Sequence, residues 1–188
     1  YSENVAPMPP VAPTRSTKKP KLILILIGVI VGLAIFFATS GGVGSDNGPY
    51  TKPVKDMVAG MEQSDWDLFI SAFPPKYAEL ANTGIQMMGV DKDAYLKEKI
   101  DTELGDDYGA NLKVQVKVVS KKEITGSDLK EAEDKYNSQT RTDETFEKMY
   151  ELKIKENIKG DKTSRVKYEK IRVAQIDGSW YIADTDVD

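Results

Sequence analysis

The sequence contains neither cysteine nor histidine. Without cysteine there are no disulfide staples, no thiolate nucleophile and no lipid-modified cysteine. Without histidine there is no zinc-finger ligand set and no imidazole base for a Ser-His-Asp arrangement. Any covalent chemistry would rest on carboxylates, Tyr, Lys or Ser. A large net charge is lacking too. The 26 cations face 30 anions, −4 overall, so the whole chain lacks the footprint of a general nucleic-acid binder and no nucleic acid is expected as a partner. With 40% apolar and 30% charged residues, the 188-residue chain is too hydrophobic for wholesale disorder, and one globular domain is the prior expectation.

What the chain does have is one long apolar run. Leu22 to Ala38 holds 17 residues without a charge or hydrogen-bonding side chain, and Thr39, Ser40 and Gly41 extend it to 20. At about 1.5 Å per helical residue this covers roughly the 30 Å of a bilayer core, which predicts a transmembrane helix over 22–41. Arg15, Lys18, Lys19 and Lys21 precede it against the single Glu3, whereas 22 cations face 29 anions after it. Cations pressed against one end mark the cytoplasmic side, so the N-terminus is expected inside and the remainder outside, as in a signal anchor. A cleaved signal peptide is the competing reading, with Ala38-Thr39-Ser40 as small residues at the cut. The length of the run and its proline-rich flank weigh against it. Gly28 and Gly32 form a G-x-x-x-G spacing that lets two such helices approach closely, a route to a homodimer. Opening on Tyr1, the sequence reads as a fragment with room for a cytoplasmic module upstream.

Residues 1–21 carry five prolines (Pro7, Pro9, Pro10, Pro13, Pro20), which suit an extended arm. Residues 42–50, rich in Gly, Asp and Asn, read as a flexible linker. An extracytoplasmic domain is expected over 51–188. Val54, Met57, Val58 and Met61 fall at helical spacing, and Trp66, Phe69, Ile70 and Phe73 repeat it, with Ser64 placed to cap the second helix. Pro74-Pro75 ends that helix, Tyr77, Leu80 and Ala81 suggest a short one, and Asp91 can cap another bearing Leu96, Ile100 and Leu104. Leu112, Val114, Val116 and Val118 then alternate with polar residues, the period of a half-buried strand. Ser127 can cap a helix holding Leu129, Ala132 and Tyr136. Tyr150, Leu152 and Ile154 mark a second strand. In the third, Val166 and Tyr168 share one phase and Ile171 and Val173 the other, which predicts a β-bulge near Glu169 and Lys170. Asp177-Gly178 is a two-residue hairpin signal leading into a last strand, Ser179 to Ala183. The expected class is α+β, with helices packed on one face of a bent antiparallel sheet and the other face wet.

This order of elements, with the closing hairpin AQIDGSWYIAD (Ala174 to Asp184), resembles the cone-shaped nuclear transport factor two-like fold. It also looks like the membrane-anchored extracytoplasmic versions of Gram-positive bacteria. The single strand around Leu112 to Ile124 and the helix around Asp91 to Leu104 depart from that pattern and keep a cystatin-like arrangement open. The fold hosts isomerases, dehydratases, binding proteins and docking domains, so the resemblance implies a scaffold and not an activity.

Two sets of residues carry the functional expectation. Phe73, Tyr77, Tyr150, Tyr168 and Trp180 could line a cavity for a small apolar ligand, with Glu156, which continues the inward phase of Tyr150, Leu152 and Ile154, as its acid or base beside Tyr150 or Tyr168. Simple core packing is the plainer reading. Lys113, Lys117, Lys153, Lys155, Arg165 and Lys167 are expected on the solvated face of the sheet, where they could dock an anionic envelope polymer or serve only to discourage edge aggregation. Asp184, Asp186 and Asp188 imitate the start of a calcium loop without its Gly and closing Glu, and Gly41-Gly42-Val43-Gly44 lacks the strand-loop-helix setting of a phosphate site, so no metal or cofactor is expected. The leading expectation is a non-catalytic binding or sensing domain tethered at the cell envelope. The alternatives are a tethered cone-fold enzyme of isomerase or dehydratase type, and a transmembrane regulator signalling through anchor dimerisation.

Overall fold

The computed structural model describes residues 48–109 and 113–184. The Pro-rich arm, the apolar run with Gly28 and Gly32, most of the linker, and Asp186 and Asp188 lie outside the described residues. Among the described residues no helix is long and apolar enough to cross a membrane.

After a 3-10 turn at Pro49–Thr51 come α1 (Lys52–Gln63), α2 (Trp66–Ile70), α3 (Pro75–Met88) and α4 (Lys92–Tyr108). The sequence then alternates β1 (Lys113–Ile124), α5 (Gly126–Thr140), β2 (Lys148–Lys159), β3 (Ser164–Ile176) and β4 (Ser179–Asp184). The four strands form one antiparallel sheet in the order β1-β2-β3-β4. The class is therefore α+β.

The apolar spacing that predicts α1 places Val54, Met57 and Met61 in the core, and Trp66 and Phe69 of α2 are wholly buried beside them. Burying either aromatic side chain stabilises the fold by roughly 1.5–3 kcal/mol. The Trp66 indole donates to Asn82 Oδ1 at 2.7 Å and its backbone N–H to Asp93 Oδ1 at 2.9 Å, so one residue ties α2 to α3 and α4. Asp91 caps α4 as expected, accepting from the Ala94 N–H at 2.8 Å. Ser64 does not cap α2. It ends α1 in the left-handed region (φ 51°), and Asp65 supplies the cap by accepting from the Leu68 N–H. Ser127 likewise lies inside α5, whose N-cap is Thr125.

Helices α1 and α2 approach so closely that a β-carbon at Gly60 would collide with the Phe69 backbone nitrogen and Cα. Because backbone cannot swing aside as a long side chain can, Gly60→Ala is expected to cost about 2–3 kcal/mol despite the better helix propensity of Ala. Chemical unfolding followed through Trp fluorescence would report it.

The helical layer packs on the sheet face that carries Val116, Val118, Leu152, Ile154, Ile158, Ile171, Val173 and Ile182. Helix cover is not confined to that face. Helix α5 crosses to the opposite side and closes one end of it, where Tyr136, with Leu129 and Ala132 against it, packs with Ile124, Phe146, Met149, Ala174 and Ile176 in a second, smaller core. The expected bulge at Glu169 and Lys170 is absent: β2 and β3 pair without interruption from Lys148↔Gln175 to Lys159↔Ser164. The irregularities lie in β1 between Val118 and Ser120, and between Arg172 and Val173 where β3 meets β4. Val166 and Tyr168 keep the regular alternation of β3 and face outward, 50% and 55% exposed. The Asp177-Gly178 turn forms as its sequence predicts, both residues at positive φ (49° and 75°), the pairing that matches the twist of a hairpin.

Candidate functional site

Directly paired residues of an antiparallel ladder share a face, so the registers assign every side chain of the sheet. On the face away from α1–α4, and beyond the part closed by α5, the rows run outward along β2. Glu151 stands beside Arg172 and Lys122, Lys153 beside Lys170 and Ser120, and Lys155 beside Tyr168 and Lys117. Asn157 then lies between Val166 and Gln115, and Lys159 between Ser164 and Lys113. Rows are about 6.7 Å apart and neighbouring strands about 4.8 Å. This outer face thus carries eight cations and, among the described side chains, one carboxylate, Glu151. Glu151 lies 3.6 Å from the Lys170 ammonium and 3.9 Å from the Arg172 guanidinium, at the margin nearest α5. Lys153 holds its ammonium 5.3 Å from the centre of the Tyr168 ring.

Four of the six expected cations, Lys113, Lys117, Lys153 and Lys155, are on this face. Arg165 and Lys167 are not: they pair with Ile158 and Glu156 and therefore lie on the inner face, because β3 has no bulge to reverse its phase. In their place stand Lys122, Lys159, Lys170 and Arg172. The signal for the β3 pair was the buried parity of Ile171 and Val173, which puts even-numbered residues of β3 outward. The apolar character of Val166 and Tyr168 masks it.

The expected aromatic cavity is divided. Phe73 and Tyr77 pack together in the main core, ring centres 5.6 Å apart, and burial pushes the Tyr77 hydroxyl well above its usual pKa. Tyr150 and Trp180 stack at 5.0 Å and 12°, with the Tyr50 ring set edgewise against both. The Lys121 ammonium lies over this group, 4.3 Å from the Tyr50 ring centre and 4.9 Å from that of Tyr150. Tyr168 is on the other side of the sheet.

Glu156 points inward as expected and is completely buried, between Val116 of β1 and Lys167 of β3. Neither carboxylate oxygen has a hydrogen-bond partner. Burial, reinforced by Glu169 and opposed by Lys167, pushes its pKa up to about 8, so at neutral pH the group is mostly the uncharged acid. A general acid needs a second group within reach of the reacting atoms. Tyr150 lies six residues away along β2, about 20 Å, and Tyr168 faces the opposite side, so neither expected acid-base pair is assembled.

Sequence reasoning also missed a polar group in the smaller core. Asn137 of α5 accepts from the Glu144 N–H at 2.9 Å and donates to the Glu144 carbonyl at 2.8 Å, which folds the following loop back on the helix. The Tyr136 hydroxyl and Glu144 Oε1 are buried there without a hydrogen-bond partner, and desolvation pushes the Tyr136 hydroxyl pKa up. Among the described residues no group of three or more acidic side chains is arranged to hold a metal ion. Comparison with known proteins adds no relative: no family model, no curated protein and no solved structure matches the chain.

Proposed function

We propose that the chain is a membrane-tethered, non-catalytic binding domain at the cell envelope, and that its outer sheet face engages an anionic component there. The cone-like arrangement suggested by the closing hairpin belongs to the same proposal, as does the anchor formed by the apolar run 22–41. The observation that carries it is the separation of charge. Everything after the apolar run has an acidic balance, 22 cations against 29 anions, yet one open sheet face gathers eight cations against one described carboxylate. An ordinary solvated sheet mixes both signs, whereas a single-sign face concentrates potential and draws counter-charge. The cations are nearly all lysines, strongly hydrated point charges on flexible stems that suit a polyanion without demanding one bidentate geometry.

The full chain, held in detergent micelles, should bind inorganic polyphosphate at low salt, and its unfolding temperature should rise with the logarithm of polyphosphate concentration once that exceeds the dissociation constant. Affinity should fall steeply as ionic strength rises, because exposed charges a Debye length apart are screened. Polyphosphate that leaves the unfolding temperature unmoved at low salt would end the proposal.

The second reading, a tethered enzyme acting on a small apolar molecule, draws support from the desolvated carboxyl of Glu156. It is the weaker one, because the tyrosines that would complete its chemistry stand elsewhere. Turnover lost in Glu156→Gln would establish it.

A further inference from the structure

The outer face is not uniformly charged. Between the lysine rows at Lys155 and Lys159, about 13 Å apart along β2, lies a row with no charge at all: Asn157 flanked by Gln115 and Val166. Tyr168 borders it and is 55% exposed, on a face where a polyanion alone would gain nothing from an apolar ring. Resting on the polyanion reading, we infer that the ligand is an anionic polysaccharide in which charged units alternate with neutral, hydroxyl-rich ones.

The chemistry of the row selects that class. The Asn157 and Gln115 amides each offer two donors and an acceptor, which match the paired donor and acceptor character of sugar hydroxyls and which an anion-only chain would use half of. The exposed face of Tyr168 presents a flat apolar surface with a polar rim, suited to the C–H face of a pyranose ring. Lys153 reaches over that ring, so anion and ring contacts fall within one side chain's span. A chain charged at every unit would place anions over the amide row, where no cation meets them. Single-stranded nucleic acid would ask for several stacking platforms, and this face exposes one aromatic ring.

The test compares two probes on the full chain in micelles at low salt: hyaluronate, whose carboxylates alternate with neutral N-acetylhexosamine units, and inorganic polyphosphate at equal charge concentration. The expected result is at least tenfold tighter binding of hyaluronate. Tyr168→Ala and, independently, Asn157→Ala should each erase that preference while leaving polyphosphate affinity within twofold, and Tyr168→Phe should retain it. Trp fluorescence melts establish that each variant is folded, and if Tyr168→Ala fails to fold, Asn157→Ala carries the comparison. Polyphosphate bound as tightly as hyaluronate, or a preference indifferent to both substitutions, overturns the inference and leaves the polyanion reading standing. Binding of neither probe overturns both.

Discussion

Glu156→Gln should make the protein more stable at pH 7–8 and leave it nearly unchanged at pH 4, so that its stability curve parts from that of the parent as pH rises. The folded-state pKa, about 8, lies above the ordinary carboxylate value of 4.5. A group raised in this way contributes its full share below 4.5, where both states are protonated. Above it the unfolded chain releases a proton that the folded chain retains, and stability falls by up to about 1.4 kcal/mol per pH unit until the folded group also ionises near 8. By pH 7 the accumulated loss is about 3 kcal/mol, a large part of the 5–15 kcal/mol typical of a domain. Glutamine keeps the shape and does not titrate, so the difference between the two proteins isolates this one group. Trp66 and Trp180, the only tryptophans in the sequence, both lie in the folded domain, so urea unfolding read by their fluorescence would follow it. Equal differences at pH 5 and pH 8 would mean that the carboxyl titrates alike in both states.

The other large effect is expected at the sheet surface. Reversing Lys117, Lys153 and Lys155 to Glu should weaken polyphosphate binding at low salt by more than 100-fold, since each lysine beside an anionic surface contributes about 1 kcal/mol and reversal replaces attraction by repulsion. Folding should survive, because Lys117 and Lys153 are exposed and Lys155, though mostly covered, keeps part of its side chain in solvent. The control follows from the register: Arg165→Gln together with Lys167→Gln removes two charges from the inner face and should leave binding within a fewfold of the parent. A loss in the control in proportion to its charge change, two units against the six of the triple reversal, would show that net charge governs binding and not the face.

The helices and strands were legible because apolar spacing is imposed by burial on one side. Val54, Met57 and Met61 have no other reason to recur every third or fourth residue, and Asp91 declares its cap through a side chain too short to reach elsewhere. Ser64 and Ser127 misled because a hydroxyl near a helix start signals a cap without deciding which residue has the extended backbone. The site was half legible. Glu156 and the Lys113, Lys117, Lys153 and Lys155 side chains follow from the phases of β1 and β2, which are regular where they matter. Arg165 and Lys167 were misplaced because two exposed apolar side chains, Val166 and Tyr168, imitate a buried phase, and local sequence cannot tell an apolar residue that packs from one left in water. The crossing of α5 to the far side of the sheet was invisible for a different reason. It depends on where a connection leads in space, while the stripe of Leu129, Ala132 and Tyr136 says only that the helix packs on something.

The two cores on opposite sides of the sheet meet in its central strands. Met149 of β2 belongs to the smaller one and Leu152 to the larger, and Ala174 and Val173 divide β3 in the same way. Loosening either layer withdraws side chains from the same stretch of backbone, which the ladder hydrogen bonds must then hold alone. The layers are therefore expected to melt together: a defect under α5 would be felt by the helices on the far side through strands only one residue thick, and the domain should unfold in one cooperative transition.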